Sequence, residues 1–232
     1  LARMISYHKK YNTWDTQVDK FIALTNFSKS KFIEANFLSD KIEIKSNFVF
    51  DMYDPDSDKK EYALFVGRIS EEKGIRYLIK AWEKIDYKLI IAGTGPLENF
   101  VKSQLNEKII FLGKQSKEGI RSLMNAASFL VMPSIWYEGF PMVILEAYSA
   151  GLPVLGSRIG SIEEVVLDNI TGLHFEPNQS RDIVKKVNTI IKDRELLKKI
   201  SKNARKEYLE KYTPSKNYDI LKNIYNSVIE SK

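Results

Sequence analysis

From Ala63 onward, short β-branched or aromatic runs alternate with longer stretches of helical period, and few folds accept that order. Strands are predicted over 63–66, 88–92, 109–112, 129–132, 153–155 and 172–175. Helices are predicted between them over 75–84, 97–105, 117–126 and 141–150, with a short helical turn at 162–166. Successive strand–helix–strand crossovers build a parallel sheet, so the expected class is α/β: a doubly wound, Rossmann-like sheet with helices on both faces. In such open sheets ligands sit beyond the carboxyl ends of the strands.

The polar stretch 51–61, with Asp51, Asp54, Pro55, Asp56, Ser57 and Asp58, reads as a linker. Before it, a strand at 20–24, a helix at 28–36 and an alternating strand at 41–45 are too little to close a core, so residues 1–50 read as the remnant of another domain. Residues 62–213 form the main unit, where Ile183, Val184, Val187, Ile190 and Ile191 mark one amphipathic helix and Leu196, Leu197, Ile200 and Leu209 another. A last helix, 214–232, carries Tyr218, Leu221, Tyr225 and Val228 as a stripe that needs a partner surface.

Composition narrows the chemistry. The 232 residues include no cysteine and two histidines, His8 and His174, which excludes disulfides, thiolate metal sites and histidine-rich metal centres. No apolar run approaches the roughly 18 residues that span a bilayer. The chain opens at Leu1 without an apolar leader and reads as a fragment of a longer protein. Of the net charge of +6, the excess lies at the end: 14 Lys and Arg against 7 Asp and Glu from Ser180 to Lys232. That basic face is a solvated helix surface or a peripheral contact with an anionic membrane. Its tyrosines, Tyr208, Tyr212, Tyr218 and Tyr225, recur at helical spacing, as packing residues do, so nucleic acid is not an expected partner.

Three segments follow predicted strands and carry chemistry. Glu138-Gly-Phe-Pro-Met-Val-Ile-Leu-Glu146 opens a helix with Pro141 expected in its first turn, and Gly151 and Pro153 end it. Free N–H groups near Gly139 and Phe140, with the positive helix end, favour an anion. Glu146 is set among Val143, Ile144, Leu145 and Ala147, where a carboxylate needs donors such as sugar hydroxyls. Gly67-Arg68-Ile69-Ser70-Glu71-Glu72-Lys73-Gly74 supplies two cations able to clamp a diphosphate, unless Lys73 is merely paired with Glu71 or Glu72. Gly93-Thr94-Gly95-Pro96 is a weak glycine signal, because Glu98 stands where a dinucleotide fingerprint needs a third glycine.

Together these segments, with Gly151-Leu-Pro-Val154, Gly160, Glu164-Val165-Val166 and Gly172, resemble the C-terminal half of GT-B glycosyltransferases of retaining family 4, also called group 1, over about 62–212. The stretch from Val18 to Val49 resembles the end of the family's first, acceptor-binding domain. The resemblance implies a hexosyltransferase-type enzyme moving a sugar from a nucleotide-diphosphate-sugar donor to a glycan or lipid-linked acceptor, in the cytoplasm or at the inner membrane face, with no cofactor or metal. This chain would be its donor-binding part and inactive without the N-terminal domain. The alternative is a nucleotide-sugar-binding module without transfer. By position, Arg68, Lys73 and Glu138 would act on the diphosphate and the donor sugar. Gly67, Gly95, Gly139, Phe140, Pro141 and Glu146 would bind the donor, with Glu146 on the ribose, and the backbone of Leu112, Gly113 and Lys114 would face the base.

Overall fold

The computed structural model describes residues 2–230. Its chain begins with the helices α1 (Ala2–Lys10) and α2 (Thr13–Thr16). A small parallel βαβ unit follows: β1 (Phe21–Ala23), α3 (Asn26–Glu34) and β2 (Ile42–Ile44). The main sheet is entered at β3 (Tyr62–Val66), followed by α4 (Ile75–Trp82), β4 (Lys88–Ala92), α5 (Glu98–Lys102), β5 (Ile109–Gly113), α6 (Lys117–Ala126) and β6 (Phe129–Met132). Then come α7 (Met142–Ser149), β7 (Val154–Ser157), α8 (Gly160–Val165) and β8 (Gly172–Phe175). The helices α9 (Ser180–Lys192), α10 (Arg194–Lys211) and α11 (Pro214–Glu230) complete the fold.

All six strands of the main sheet are parallel, in the order β5-β4-β3-β6-β7-β8. The chain winds outward from β3 to β5, then returns to lay β6 against the other side of β3. The sheet therefore reverses direction between β3 and β6, and the crevice at such a switch point is where ligands bind in doubly wound folds.

The strands read as continuous apolar runs because both faces are covered. Ala63, Phe65, Phe129 and Val131 face a core built with α4, α5 and α9, whereas Tyr62, Leu64, Leu130 and Met132 face a second core with α6, α7, α8 and Tyr208 of α10. Neighbours along a strand thus serve opposite layers, as a period of two requires. No described helix is long and apolar enough to cross a membrane.

Element bounds shift by a few residues from the sequence expectation, and two of these shifts have clear local reasons. Pro141 is not in the first turn of α7 but precedes it as N-cap, with ψ at 93° outside the helical range. The helix does end as expected: Gly151 is left-handed (φ 67°), its N–H reaches Tyr148 O and the Leu152 N–H reaches Ala147 O, a Schellman closure. The helix expected to Leu105 stops at Lys102, because Ser103 Oγ donates to Phe100 O and Asn106 Oδ1 accepts from Lys108 and Ile109 N–H, side-chain bonds that replace the helical ladder. The segment 51–61 contains no helix or strand, yet it is strapped down. Asp51 makes a two-pronged pair with Arg205 at 2.7 Å per contact, and Asn125 Nδ2 and Arg121 Nε donate to Met52 O. The last expected helix is present as α11, residues 231–232 lying outside those described.

Candidate functional site

The loops leaving β3, β4 and β5 enclose an open cleft of about 470 Å³ lined by Gly67, Arg68, Gly93, Thr94, Gly95, Lys114 and Gln115. Arg68 and Lys114 are exposed and make no hydrogen bond or ion pair among the described residues. No carboxylate lines this cleft, so its field is cationic. The expected base-facing residues, Leu112, Gly113 and Lys114, close the end of β5, with the Leu112 side chain exposed. Gly95 is placed in the cleft, but its N–H donates to Glu98 Oε1 at 3.0 Å. That N–H is therefore not free for a phosphate.

Beside this cleft lies the corner where β3 meets β6. The loop after β3 forms a 3₁₀ turn, Glu71–Lys73, ended by left-handed Gly74 (φ 69°). A side chain at Gly74 would put its Cβ 1.8 Å from Pro133 O, so only glycine lets this turn press against the exit of β6. The Ile135 N–H donates to Glu72 O and ties the two loops together.

That contact brings Lys73 to Glu138. Lys73 Nζ lies 2.5 Å from Glu138 Oε1, with side chains only 26% and 19% exposed. The neighbouring acid Glu71 pairs with Arg76 instead. Ser134, wholly buried after β6, also donates to Glu138 Oε1, at 2.8 Å. Both bonds converge on one oxygen, and Glu138 Oε2 has no partner among the described residues. Sequence reasoning missed Ser134. The available signal was a lone serine directly after an apolar strand and a proline.

The loop continues through Gly139 and Phe140, whose backbone N–H groups have no partner among the described residues. No acidic residue stands in the first turn of α7 to satisfy its positive end. The Phe140 ring turns the other way, edge-on to Tyr212 at 6.4 Å, so this residue offers its backbone and not its side chain. Just over one turn into α7, the half-buried Glu146 carboxylate accepts no hydrogen bond from any described residue, and burial pushes its pKa up against the pull of Lys117. A desolvated carboxylate without donors is a group waiting for a ligand to supply them. His174 lies buried in β8 with Nε2 unpartnered, away from these loops, as its strand position implied. Among the described residues, no group of three or more His, Asp or Glu gathers to hold a metal.

Residues 53–207 match the family of glycosyl transferases group 1. The chain belongs to this family. It is 33% identical over 211 residues to an uncharacterized glycosyltransferase of Methanocaldococcus jannaschii, covering 89% of this chain and 58% of that protein. It is 32% identical over 168 residues to a lipopolysaccharide 1,2-N-acetylglucosaminetransferase of Salmonella typhimurium, covering 65% of this chain and 44% of that protein. This glycosyl transferase chain thus spans roughly half the length of both relatives. The fold is shared with the Anabaena protein HepE, solved in complex with UDP, at a TM-score of 0.82 and 23% identity over 91% of this chain and 64% of that one.

Proposed function

We propose that this chain is the donor-binding part of a transferase that moves a sugar from a nucleoside-diphosphate sugar to a glycan or lipid-linked acceptor with retention of configuration. The observation that carries the reading is the carboxylate-free cleft at the ends of β3, β4 and β5, beside the sheet's switch point, with Arg68 and Lys114 unpaired among the described residues and Glu138 nearby offering one unengaged oxygen. A volume of about 470 Å³ suits a nucleotide. Arg68 would take the diphosphate as a two-pronged donor and stabilise the charge that develops as it leaves, aided by the Gly139 and Phe140 N–H groups. Glu146 would accept from the ribose hydroxyls, and Glu138 Oε2 from a hydroxyl of the donor sugar. The acceptor would be held by a further domain, in keeping with the partial span of the relatives.

In the proposed step, the bond from the anomeric carbon to the phosphate oxygen breaks. The acceptor oxygen bonds to the same face of that carbon, and its proton passes to a donor phosphate oxygen. No protein nucleophile is assigned. The HepE structure with UDP supports a uridine donor by analogy of fold.

Calorimetric titration of the chain with UDP, GDP, ADP and their hexose conjugates tests the donor reading. One nucleotide series is expected to bind selectively, whereas a folded chain that binds none would sink it. For the full-length protein, a product with the opposite anomeric configuration to the donor would dismiss retention.

A further inference from the structure

Glu164, in α8, takes no part in the cleft, yet its carboxylate is fully engaged. Oε1 accepts from the backbone N–H and from Nδ2 of Asn26, and Oε2 accepts from the Phe27 N–H, each at 2.8 Å. Asn26 opens α3, so Glu164 covers the first two N–H groups that a helix start leaves without partners. Thr25 Oγ1 accepts the third, from Ser28, at 3.0 Å, and the regular helical ladder begins with the Lys29 N–H donating to Thr25 O. The helix has no acidic residue in its own first turn. The negative charge that its positive end favours comes instead from 138 residues downstream.

The same turn of α3 touches the donor loop. Thr25 Oγ1 lies 3.2 Å from Ser161 Oγ, and Ser161 donates to Gly139 O, also at 3.2 Å. Both hydroxyls are buried, Ser161 completely. The Phe27 ring packs on Tyr137 at 4.8 Å. Gly160, left-handed at φ 53°, leaves room for that pair, since a Cβ there would stand 2.9 Å from the Tyr137 ring and 3.1 Å from that of Phe27. Residues 137–140 are therefore held from behind by a hydroxyl relay and an aromatic contact that both issue from α3.

We propose that Glu164 is a positioning residue: by capping α3 it docks the small βαβ unit and, through Thr25, Ser161 and Phe27, sets residues 137–140 in the shape that receives the donor. This rests on the donor reading for its last clause only. Docking and ligand binding are then coupled, and the coupling is reciprocal: a ligand that orders 137–140 also protects the start of α3.

Hydrogen exchange on the 232-residue chain, for wild type, Glu164→Ala, Glu164→Gln and the exposed neighbour Glu163→Ala, separates this from a local cap. Loss of a charged cap is expected to speed exchange about tenfold both in 24–34 and in 134–141. Glu163→Ala leaves both unchanged. Faster exchange confined to 24–34 in the Glu164 variants would overturn the proposal. Glu164→Gln keeps the side chain's shape and stays readable if Glu164→Ala does not fold. A second arm titrates wild type and Glu164→Gln with UDP, GDP and ADP. The variant is expected to bind the selected nucleotide about five- to thirtyfold more weakly, within the usual range of coupling energies. Equal affinity of the two proteins for that nucleotide would also overturn it. If wild type binds none, the donor reading falls while the exchange of 134–141 still decides whether Glu164 positions that loop.

Discussion

Arg68 and Lys73 sit on one loop and meet opposite fates. At the corner between β3 and β6, Lys73 is answered within the protein: Glu138 accepts from it at 2.5 Å and from Ser134 at 2.8 Å, all three groups largely shielded from water. In the cleft at the ends of β3, β4 and β5, Arg68 and Lys114 face solvent with no ion pair among the described residues, and the Glu146 carboxylate farther along α7 has lost water without gaining a donor among them. The corner is finished structure; the cleft is charge held in readiness. Under the proposed donor reading both are needed, the paired corner for rigidity and the unpaired cleft for binding energy.

The comparison ranks the two cations. Arg68→Ala removes a free two-pronged donor, and a charge-assisted contact with a diphosphate is worth enough to weaken nucleotide binding by about 10- to 100-fold. Calorimetric titration reads this directly, and unchanged affinity would remove Arg68 from the site. Lys73→Met is expected to weaken nucleotide binding less, by about tenfold at most, because its charge is already spent on Glu138. Its larger effect is on the fold: stranding a mostly buried carboxylate costs about 1–3 kcal/mol, measurable by urea denaturation. Should Lys73→Met lose as much affinity as Arg68→Ala while keeping its stability, the corner is not finished structure, and Glu138 must release Lys73 when ligand arrives.

The same contrast explains what could be read ahead of the structure. The strands were legible because β3, β6 and β7 are buried on both faces, which leaves runs such as 63–66 and 129–132 without a polar residue. The glycine-bearing loops were legible because they follow those strands. Arg68 could be singled out as one of two cations directly after a strand, and Glu146 as a carboxylate among apolar neighbours. What stayed hidden is contact across the chain. Lys73 has two acids within two residues, and nothing local says that its partner stands 65 residues on. Ser134 and Ser161 are small polar residues whose roles exist only once loops from distant strands meet. The helix α1 was not foreseen because Arg3, His8, Lys9 and Lys10 dominate a nine-residue stretch whose adjacent Met4 and Ile5 begin no longer apolar stripe. The direction of Phe140 is set by Tyr212, 72 residues away, and no spacing rule carries that information.

The smallest effect expected is the most diagnostic, because its two halves have opposite signs. Burial raises the pKa of Glu146, more than Lys117 offsets, so the folded protein holds that proton more tightly than the unfolded chain does. The charged form therefore destabilises the fold. That cost is absent at pH values below the ordinary carboxylate value of 4.5, grows as pH rises through the raised folded value, and is complete above it. Glu146→Gln keeps the shape and removes the charge. It should melt about 2–4 °C higher than wild type at pH 7.5 and at nearly the same temperature at pH 4, corresponding to roughly 1 kcal/mol in a chain of this size. The same variant should bind the selected nucleotide about tenfold more weakly, since an amide accepts from two vicinal hydroxyls less well than a carboxylate does. A protein more stable without its charge yet poorer at binding is what a ligand group held out of water predicts. If Glu146→Gln melted lower at pH 7.5, or bound as tightly as wild type, Glu146 would belong with Lys73 among the groups the fold has already satisfied, and its proposed contact with the ribose would fall.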